Sequence, residues 1–307
     1  MEVIRPPAHG DKLRALLSNA KLPNNEKARV ERALNQYKRW IERLRTMKGE
    51  GDELLGSYVS ALNEYKFDVE FELIFCSEDD FLYRQKGQLK LDNTVLEEFL
   101  PYLFDIRLVP GLARIKNLRC GPQSSFAGIS FASPFLPLHS GGVDMKFKDQ
   151  DFAVSRSHRM MILNEPADGD PFERTFCVSH LATEVKTNLD KTMVQEASAT
   201  AAELKRSVPG STYILLCEFL DMTPITTKLT SIDEVIVLRK AKRLASNVRA
   251  EFAYASGRQK TRKSYESFLL RHPLQVDCFR RFVWHLNECF PEREEEKEDV
   301  VLGRGYF

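Results

Sequence analysis

The chain has 307 residues, 43% of them hydrophobic and 29% charged, and its net charge is +1. This length and composition predict a soluble globular protein with one large or two modest domains. No apolar run approaches the roughly 18 residues of a membrane span, and residues 1–7 lack the apolar core of a signal peptide, so we expect a cytoplasmic protein without a membrane partner.

Helices dominate the prediction for the first hundred residues. Apolar residues recur every three to four positions over residues 25–48, a spacing that predicts a long amphipathic helix. Further helices are predicted over residues 52–65 and 93–104. Residues 107–138 are rich in Gly, Ser and Pro, which favours a large loop or an inserted region.

The middle of the chain has the pattern of a sheet. Alternating residues between 143 and 156 predict a hairpin or a bent strand. Residues 176–185 and 212–217 predict strands on either side of a helix over residues 190–205, and a further strand is predicted over residues 234–238. Strands joined by such a crossover should be parallel.

Two charged residues lie two positions apart near the end of the first of these strands. Glu184 and Lys186 would point to the same face of the sheet. If Asp151, from the preceding strand-like segment, is their neighbour, the three side chains form the acid, acid and lysine pattern of a metal-dependent nuclease. For Glu184 and Lys186 alone, the alternative is a salt-bridging pair on the solvated face of an edge strand.

The sequence around this pair resembles the signature of the BbvCI-type restriction endonucleases, a branch of the PD-(D/E)XK nucleases whose members cut short asymmetric DNA sites. The resemblance is carried by Glu-Val-Lys-Thr-Asn-Leu-Asp-Lys-Thr-Met at 184–193, by Ala-Leu-Asn-Glu-Tyr at 61–65, and by Ile-Asp-Glu-Val-Ile-Val-Leu-Arg-Lys at 232–240. It implies an α/β fold with a PD-(D/E)XK core, in which helices flank a mixed central β-sheet, and a helical N-terminal region.

This resemblance and the predicted elements together divide the chain into three parts. Residues 1–106 would form the mainly helical N-terminal region. Residues 107–245 would form the catalytic core, with a loop-rich insertion at 107–138, and residues 246–307 would form a helical C-terminal region and tail.

The carboxylates of Asp151 and Glu184 are hard oxygen ligands suited to Mg²⁺, and the resemblance adds the backbone carbonyl of Val185. Lys186 beside the cation would have a lowered pKa and would orient or deprotonate the attacking water. The resemblance also makes Glu64 a candidate for a further acid at the metal, with a surface acid as the alternative.

Other polar residues belong to the family motif or to basic segments. We expect residues of the first group to support the strand end or touch the DNA backbone, although Asp190 could equally be a helix N-cap; they are Asn188, Asp190, Lys191 and Gln195. We expect the second group to bind DNA; it comprises Arg156, Arg159, Arg239, Lys240, Lys242 and Arg243.

The net charge conceals two basic segments. Residues 26–48 contain eight basic residues and three acids, and residues 239–263 contain nine basic residues and one acid. A basic run is most often a solvated helix face, but two runs that flank a candidate nuclease centre are more typical of surfaces that follow phosphates. Base readout is predicted for residues 107–138 and 155–159.

The chain contains no P-loop, His-Glu-x-x-His or Gly-x-Ser-x-Gly motif, and none of its six cysteines forms a Cys-x-x-Cys pair. We therefore predict a Mg²⁺-dependent type II restriction endonuclease, or one subunit of it, that acts on double-stranded DNA. The alternatives are a PD-(D/E)XK nuclease of repair, recombination or transposition, or a nicking half-enzyme. The family implies a second endonuclease subunit, which could be a different chain or a second copy.

Overall fold

A computed structural model describes residues 2–131, 142–163, 171–291 and 298–305. Residues 132–138 of the predicted insertion therefore lie outside the described residues.

The first hundred residues fold into helices around a hydrophobic core, as predicted. These helices are α1 (Ala8–Leu17), α2 (Lys27–Thr46), α3 (Gly51–Phe67), α4 (Asp80–Gln85) and α5 (Thr94–Phe99), with 3₁₀ turns at Asn24–Glu26 and Leu100–Tyr102. The amphipathic pattern over residues 25–48 gives α2, which buries Val30, Tyr37 and Ile41. α3 continues directly into a π-helical segment, Asp68–Phe75.

A mixed sheet forms the centre of the molecule. In the described part of the chain its strands are neighbours in sequence order: β1 (Glu2–Val3), β2 (Leu118–Phe131), β3 (Val143–Ile162), β4 (Phe172–Leu189), β5 (Thr212–Leu220) and β6 (Glu234–Lys242). The β2–β3 and β3–β4 pairs are antiparallel, whereas β4, β5 and β6 are parallel. The parallel crossover through α6 (Lys191–Ser207) was predicted and is present.

The loop-rich insertion predicted over residues 107–138 is wrong for residues 118–131, which form β2. Its pairing register with β3 shifts beside Gly121 and again beside Gly128. Pro122 lies in the first shift, where a residue without an N–H interrupts the fewest hydrogen bonds. The glycines and proline that suggested a loop therefore mark bulges in a long paired strand.

The C-terminal region is helical, as predicted. Its helices are α7 (Ser246–Glu251), α8 (Ala255–Arg271), α9 (Val276–Cys289) and α10 (Glu298–Arg304), and a 3₁₀ turn at Pro110–Arg114 and another at Thr227–Leu229 complete the helical elements described. Phe279, Phe282 and Leu286 form a buried apolar face of α9. Within the described ranges, no helix is long and apolar enough to cross a membrane.

The two faces of the sheet are covered by different elements. α6 packs on one face through Val194, Ala197 and Leu204. The N-terminal helices and α9 cover the other face, where Val185 and Leu216 enter the main core. Because side chains alternate along a strand, Val185 faces the N-terminal helices while its neighbours in β4 face the α6 side.

A cluster of four buried charges joins the N-terminal helices to the sheet. Lys66 on α3 lies 2.7 Å from Glu218 on β5. Arg239 on β6 lies 2.9 Å from Glu218 and 2.9 Å from Glu70. Two cations and two carboxylates compensate each other, so charges that would be costly alone can stay buried. The cluster fixes the helices against the parallel strands that carry the site.

Candidate active site

The candidate site lies where β3 leaves β4. Pairing between these strands ends at Phe152 and Thr183, so the next backbone groups of β4 need other partners. The N–H of Val185 donates to Oδ2 of Asp151 at 2.8 Å. The Asp151 carboxylate thereby replaces a backbone acceptor of β3, and this hydrogen bond fixes the side chain where the strand pairing ends.

Glu184 and Lys186 project from the same face of β4, as their spacing predicts. Nζ of Lys186 lies 2.6 Å from Oε1 of Glu184, and the Tyr213 hydroxyl on β5 donates to Oε2 of Glu184 at 3.0 Å. The side chains of Lys186 and Glu184 are 29% and 22% exposed, so a substrate can reach them. The charges of both act on Asp151, and the three predicted residues thus share one site.

The electrostatics of the site are set by burial and by these mutual charges. Burial raises the pKa of Asp151, and the neighbouring Glu184 charge adds to the rise, whereas the Val185 N–H opposes it. Burial acts to lower the pKa of Lys186, but the hydrogen bond and charge of Glu184, with the Asp151 charge, hold it above its ordinary value. A lowered Lys186 pKa, as predicted beside a cation, would have to come from the charge of the cation itself.

A carboxylate that the sequence did not single out lies near Asp151. Glu97 on α5 is buried, and its pKa is raised by burial and by the Asp151 charge. The Asn93 amide donates to Oε1 of Glu97 at 2.8 Å and to the Val185 carbonyl at 3.4 Å. The charge of the exposed Lys90 acts to lower the pKa of both acids. The start of α5 and the segment before it therefore form a second wall of the site.

Two of the predicted supporting residues lie at the end of β4. Asn188 is two residues beyond Lys186 on the same face, and its amide nitrogen lies 3.9 Å from Sδ of Met193. Asp190 is the N-cap of α6 and accepts the N–H of Met193 at 2.9 Å, which is the alternative that the sequence left open. Its carboxylate thus starts the helix that covers this face.

The other two supporting candidates lie on α6. Lys191 and Gln195 are both exposed, and DNA contacts from them stay a prediction. The charge of Glu196, the next residue, contributes to the raised pKa of Lys186.

The predicted DNA contact of Arg239 is wrong. This residue is 4% exposed and belongs to the buried charge cluster with Glu70 and Glu218. Its third guanidinium nitrogen, Nη1, donates to the His272 carbonyl at 2.8 Å. A DNA phosphate cannot approach a guanidinium that is enclosed and paired in this way.

The neighbouring basic residues are accessible. Lys240 and Lys242 are exposed, and Lys240 forms an ion pair with Asp277. Arg243 is half-buried and lies 2.9 Å from Asp221. These residues lie at or just beyond the C-terminal end of β6, on the sheet edge that also carries Glu184, so their predicted contacts with DNA remain feasible.

Arg156 and Arg159 lie on an exposed stretch of β3. Arg159 forms an ion pair with Glu173 on β4. Eight residues separate Arg159 from Asp151, which corresponds to about 26 Å along an extended strand. Contacts of these arginines with DNA stay a prediction, and they would be made far from the cleavage centre.

Comparison with known proteins assigns the chain to a family. The model of the Bpu10I restriction endonuclease family matches residues 88–307, more than half of the chain. The chain belongs to the Bpu10I restriction endonuclease family. This membership confirms the function predicted from the sequence, a type II restriction endonuclease or one subunit of such an enzyme.

A solved structure, the native BbvCI A2B2 tetramer at low resolution, has a similar fold. The TM-score is 0.56 at 20% sequence identity, and the match covers 86% of this chain and 97% of that chain. This likeness confirms the predicted α/β fold, with helices around a mixed sheet and a helical N-terminal region. A comparison with curated protein sequences finds no match.

The match to the Bpu10I family begins after Glu64 and includes Glu97. Glu64 is largely exposed; it forms an ion pair with Arg43 and accepts a hydrogen bond from Ser60 at 3.1 Å. Among the described residues, no hydrogen bond or ion pair joins it to the candidate site. The structure therefore favours the interpretation of Glu64 as a surface acid.

The oxygen donors of the site suit a hard divalent cation. Asp151 and Glu184 offer carboxylates and Val185 a backbone carbonyl, and Mg²⁺ typically combines one or two carboxylates with several waters. In the described part of the chain, no group of three or more His, Cys, Asp or Glu side chains is arranged to hold a metal ion.

Proposed function

We propose that this Bpu10I-family member hydrolyses phosphodiester bonds of double-stranded DNA in a Mg²⁺-dependent reaction at Asp151, Glu184 and Lys186. The observation that carries the proposal is the convergence of these three side chains where β3 leaves β4. When bound, the cation would supply charge neutralisation at the phosphate and a more acidic water.

The protein groups have separate tasks in this proposal. Asp151 and Glu184 would hold the cation together with the Val185 carbonyl. Lys186, which pairs with Glu184, would donate to the attacking water or to a phosphate oxygen and so orient it. Glu97, which is linked to the Val185 carbonyl through Asn93, would keep this wall of the site in position or bind the cation through water.

The proposed substrate and assembly depend on the number of active centres that a double-strand break needs. One centre of this kind cuts one strand, so a double-strand break requires two centres. BbvCI is an A2B2 tetramer, and we propose that this chain likewise pairs with a second endonuclease subunit to cut a short asymmetric site. Lys240, Lys242 and Arg243 would bind DNA phosphates beside the site, and the complex would act in the cytoplasm.

Cleavage of a mixed-sequence plasmid tests this function. The purified chain, with its genetic partner where one is present, should convert supercoiled plasmid to discrete nicked or linear products with Mg²⁺ and to none with EDTA. Sequencing of the product ends should give one short sequence. Supercoiled plasmid that persists with Mg²⁺, Mn²⁺ and Co²⁺ alike would contradict the proposal.

Lys186→Ala separates chemistry from binding. Loss of a group that positions the water or the phosphate should lower the cleavage rate by roughly 10²–10⁴-fold, while affinity for the same DNA in Ca²⁺ should stay within about twofold. The matched control is Lys205→Ala on α6, which removes a lysine paired with Asp233 at 2.6 Å and should leave the rate unchanged. Cleavage by Lys186→Ala at the native rate would place the active site elsewhere.

A further inference from the structure

A cavity of about 260 Å³ with aromatic walls lies at the sheet edge beside the candidate active site. The aromatic residues that line it are Tyr83, Phe219, Phe252, Tyr265 and Phe268. Phe219 and Phe268 stack with ring centroids 5.7 Å apart and an interplanar angle of 22°. The volume is just below the roughly 300 Å³ at which small-molecule sites begin, so the cavity suits one flat ring system.

Two chain segments connect this cavity to the cleavage site. Thr187, which lines the cavity, follows Lys186 directly in β4. Asp92, which also lines it, precedes Asn93, the residue that contacts the Val185 carbonyl. Consecutive side chains of a strand point to opposite faces, so the cavity and Lys186 lie on opposite faces of the sheet, and a base of DNA bound at Lys186 would reach the cavity around the end of β4.

Asp92 provides a buried polar group inside the cavity. The residue is 6% exposed, and within the described residues its carboxylate is paired only with Lys86, whose Nζ lies 3.5 Å from Oδ2. This separation exceeds that of a good hydrogen bond, so the carboxylate keeps acceptor capacity. A carboxylate accepts from the exocyclic amino group of a base such as cytosine, whereas thymine has no such group.

Basic side chains complete the cavity on its exposed side. Arg243 and Arg249 both line it, and they share Asp221, at 2.9 Å and 3.9 Å. Both guanidinium groups are therefore held beside an aromatic space. The phosphates on either side of a nucleotide in the cavity could pair with these guanidinium groups.

We propose that this cavity receives one amino-bearing base of the bound DNA, turned out of the duplex next to the cleavage site. The base would stack on the aromatic walls and donate its amino group to Asp92. Stacking on aromatic side chains compensates for the stacking lost in the duplex. This inference rests on the proposed function, because it requires that the site binds DNA.

Orphan-base duplexes test the inference. Once sequencing of cleavage products gives the recognition site, duplexes are made in which one base at a time faces an abasic position. Turning an unpaired base out of the duplex takes less free energy than turning out a paired one. The affinity of the protein for the duplex in Ca²⁺ should therefore rise by about tenfold or more when the orphan base is at one particular position. The gain should be larger for cytosine, adenine or guanine there than for thymine.

Two cavity variants link the gain to this cavity. Phe268→Leu should reduce the orphan-base gain to less than about twofold, and Asp92→Asn should remove the preference over thymine. Asp52→Asn, at a surface acid paired with Arg280 at 2.9 Å, is the matched control and should change neither. Circular dichroism and melting of each variant check that it is folded.

The outcomes are distinct. An intact duplex that is bound and cleaved, with no orphan-base gain at any position, would overturn the inference and leave the proposed function standing. A gain that persists in both cavity variants would also overturn it. Failure to bind the intact duplex would remove the proposed function and this inference with it.

Discussion

Glu97 and Glu98 are neighbours in α5, yet their carboxylates have different surroundings. Glu98 accepts the backbone N–H of His9 at 2.9 Å and the Tyr37 hydroxyl at 2.6 Å, so it anchors the start of α1. Glu97 points in another direction, where burial and the Asp151 charge raise its pKa. Adjacent helix residues differ in direction by about a quarter turn or more, which is enough to separate a structural acid from a candidate site acid.

We predict that Glu97→Gln lowers cleavage by roughly 10–100-fold, the usual effect of removing a group that supports metal ligands. The fold should be unaffected, because glutamine can still accept from Asn93. Glu64→Gln is the matched control and should cleave at the native rate. Single-turnover cleavage rates across a Mg²⁺ titration measure the difference between the two variants. Slow cleavage by Glu64→Gln with native-rate cleavage by Glu97→Gln would make Glu64, and not Glu97, the additional acid of the site.

His9 makes the free energy of unfolding depend on pH, although it lies outside the candidate active site. The residue is 0% exposed, and burial, followed by the Lys66 charge, lowers its pKa to about 3. The unfolded chain binds a proton near the ordinary value of 6.5, whereas the folded chain stays neutral at this position. Acidification through the window between 6.5 and 3 therefore favours the unfolded state.

We predict that the free energy of unfolding of the native protein falls, relative to His9→Phe, by about 1–2 kcal/mol between pH 6.5 and 5. Urea titrations of both proteins at each pH give this difference, in which other titrating groups cancel. Phenylalanine keeps a ring next to Tyr37 and Tyr65. A difference that is independent of pH would mean that His9 has the same pKa in the folded and unfolded protein.

At the scale of elements, the end of β6 combines structural and accessible cations. Arg239 faces the N-terminal helices and is enclosed by Glu70 and Glu218, whereas Lys242 is exposed at the sheet edge. Alternation along the strand and the packing of α3 decide which residue is buried. Neutralisation of basic residues in this segment will therefore have two different effects.

We predict that Arg239→Ala destabilises the protein by about 3–5 kcal/mol, because it leaves two buried carboxylates with one cation. Lys242→Ala should be as stable as the native protein but should bind DNA more weakly, with a salt dependence whose log-log slope is smaller by about one. Urea denaturation and binding measured at several salt concentrations report the two effects. A fully stable Arg239→Ala with reduced DNA affinity would restore Arg239 as a DNA contact.

At the scale of the whole molecule, one candidate centre is present on the described part of the chain. Glu184 and Lys186 lie at the end of one parallel strand, where Asp151 accepts the N–H of Val185. In the proposed function, cleavage of both DNA strands would depend on assembly with a second centre; the BbvCI structure is an A2B2 tetramer. The DNA strand that each subunit cuts can be identified by inactivating one active centre at a time.

We predict that Lys186→Ala, assembled with an unaltered partner subunit, nicks the recognition site in one strand and makes no double-strand break. The native assembly should linearise the same plasmid. Denaturing gels of duplexes labelled on each strand identify the strand that is still cut. Double-strand cleavage by the mixed assembly would show that the partner centre cuts both strands in turn.

Local patterns were enough to predict much of this protein. The spacing of Glu184 and Lys186 on a strand fixed their common face, because alternation is a property of any extended chain. The crossover of β4, α6 and β5 followed from element order, since such connections make strands parallel. The match of the Glu184–Met193 segment and its flanks indicated the family, which the match over residues 88–307 confirms.

Other features were decided by tertiary packing. The loop composition of residues 118–131 gave no sign of β2, because pairing with β3 accommodates glycine and proline at bulges. Glu97 rather than Glu64 reaches the Asp151 region, since the docking of each helix on the sheet determines where its acids point. Arg239 pairs with buried carboxylates for the same reason. The sequence shows that Arg239 is charged, but only contacts between distant elements determine which groups it binds.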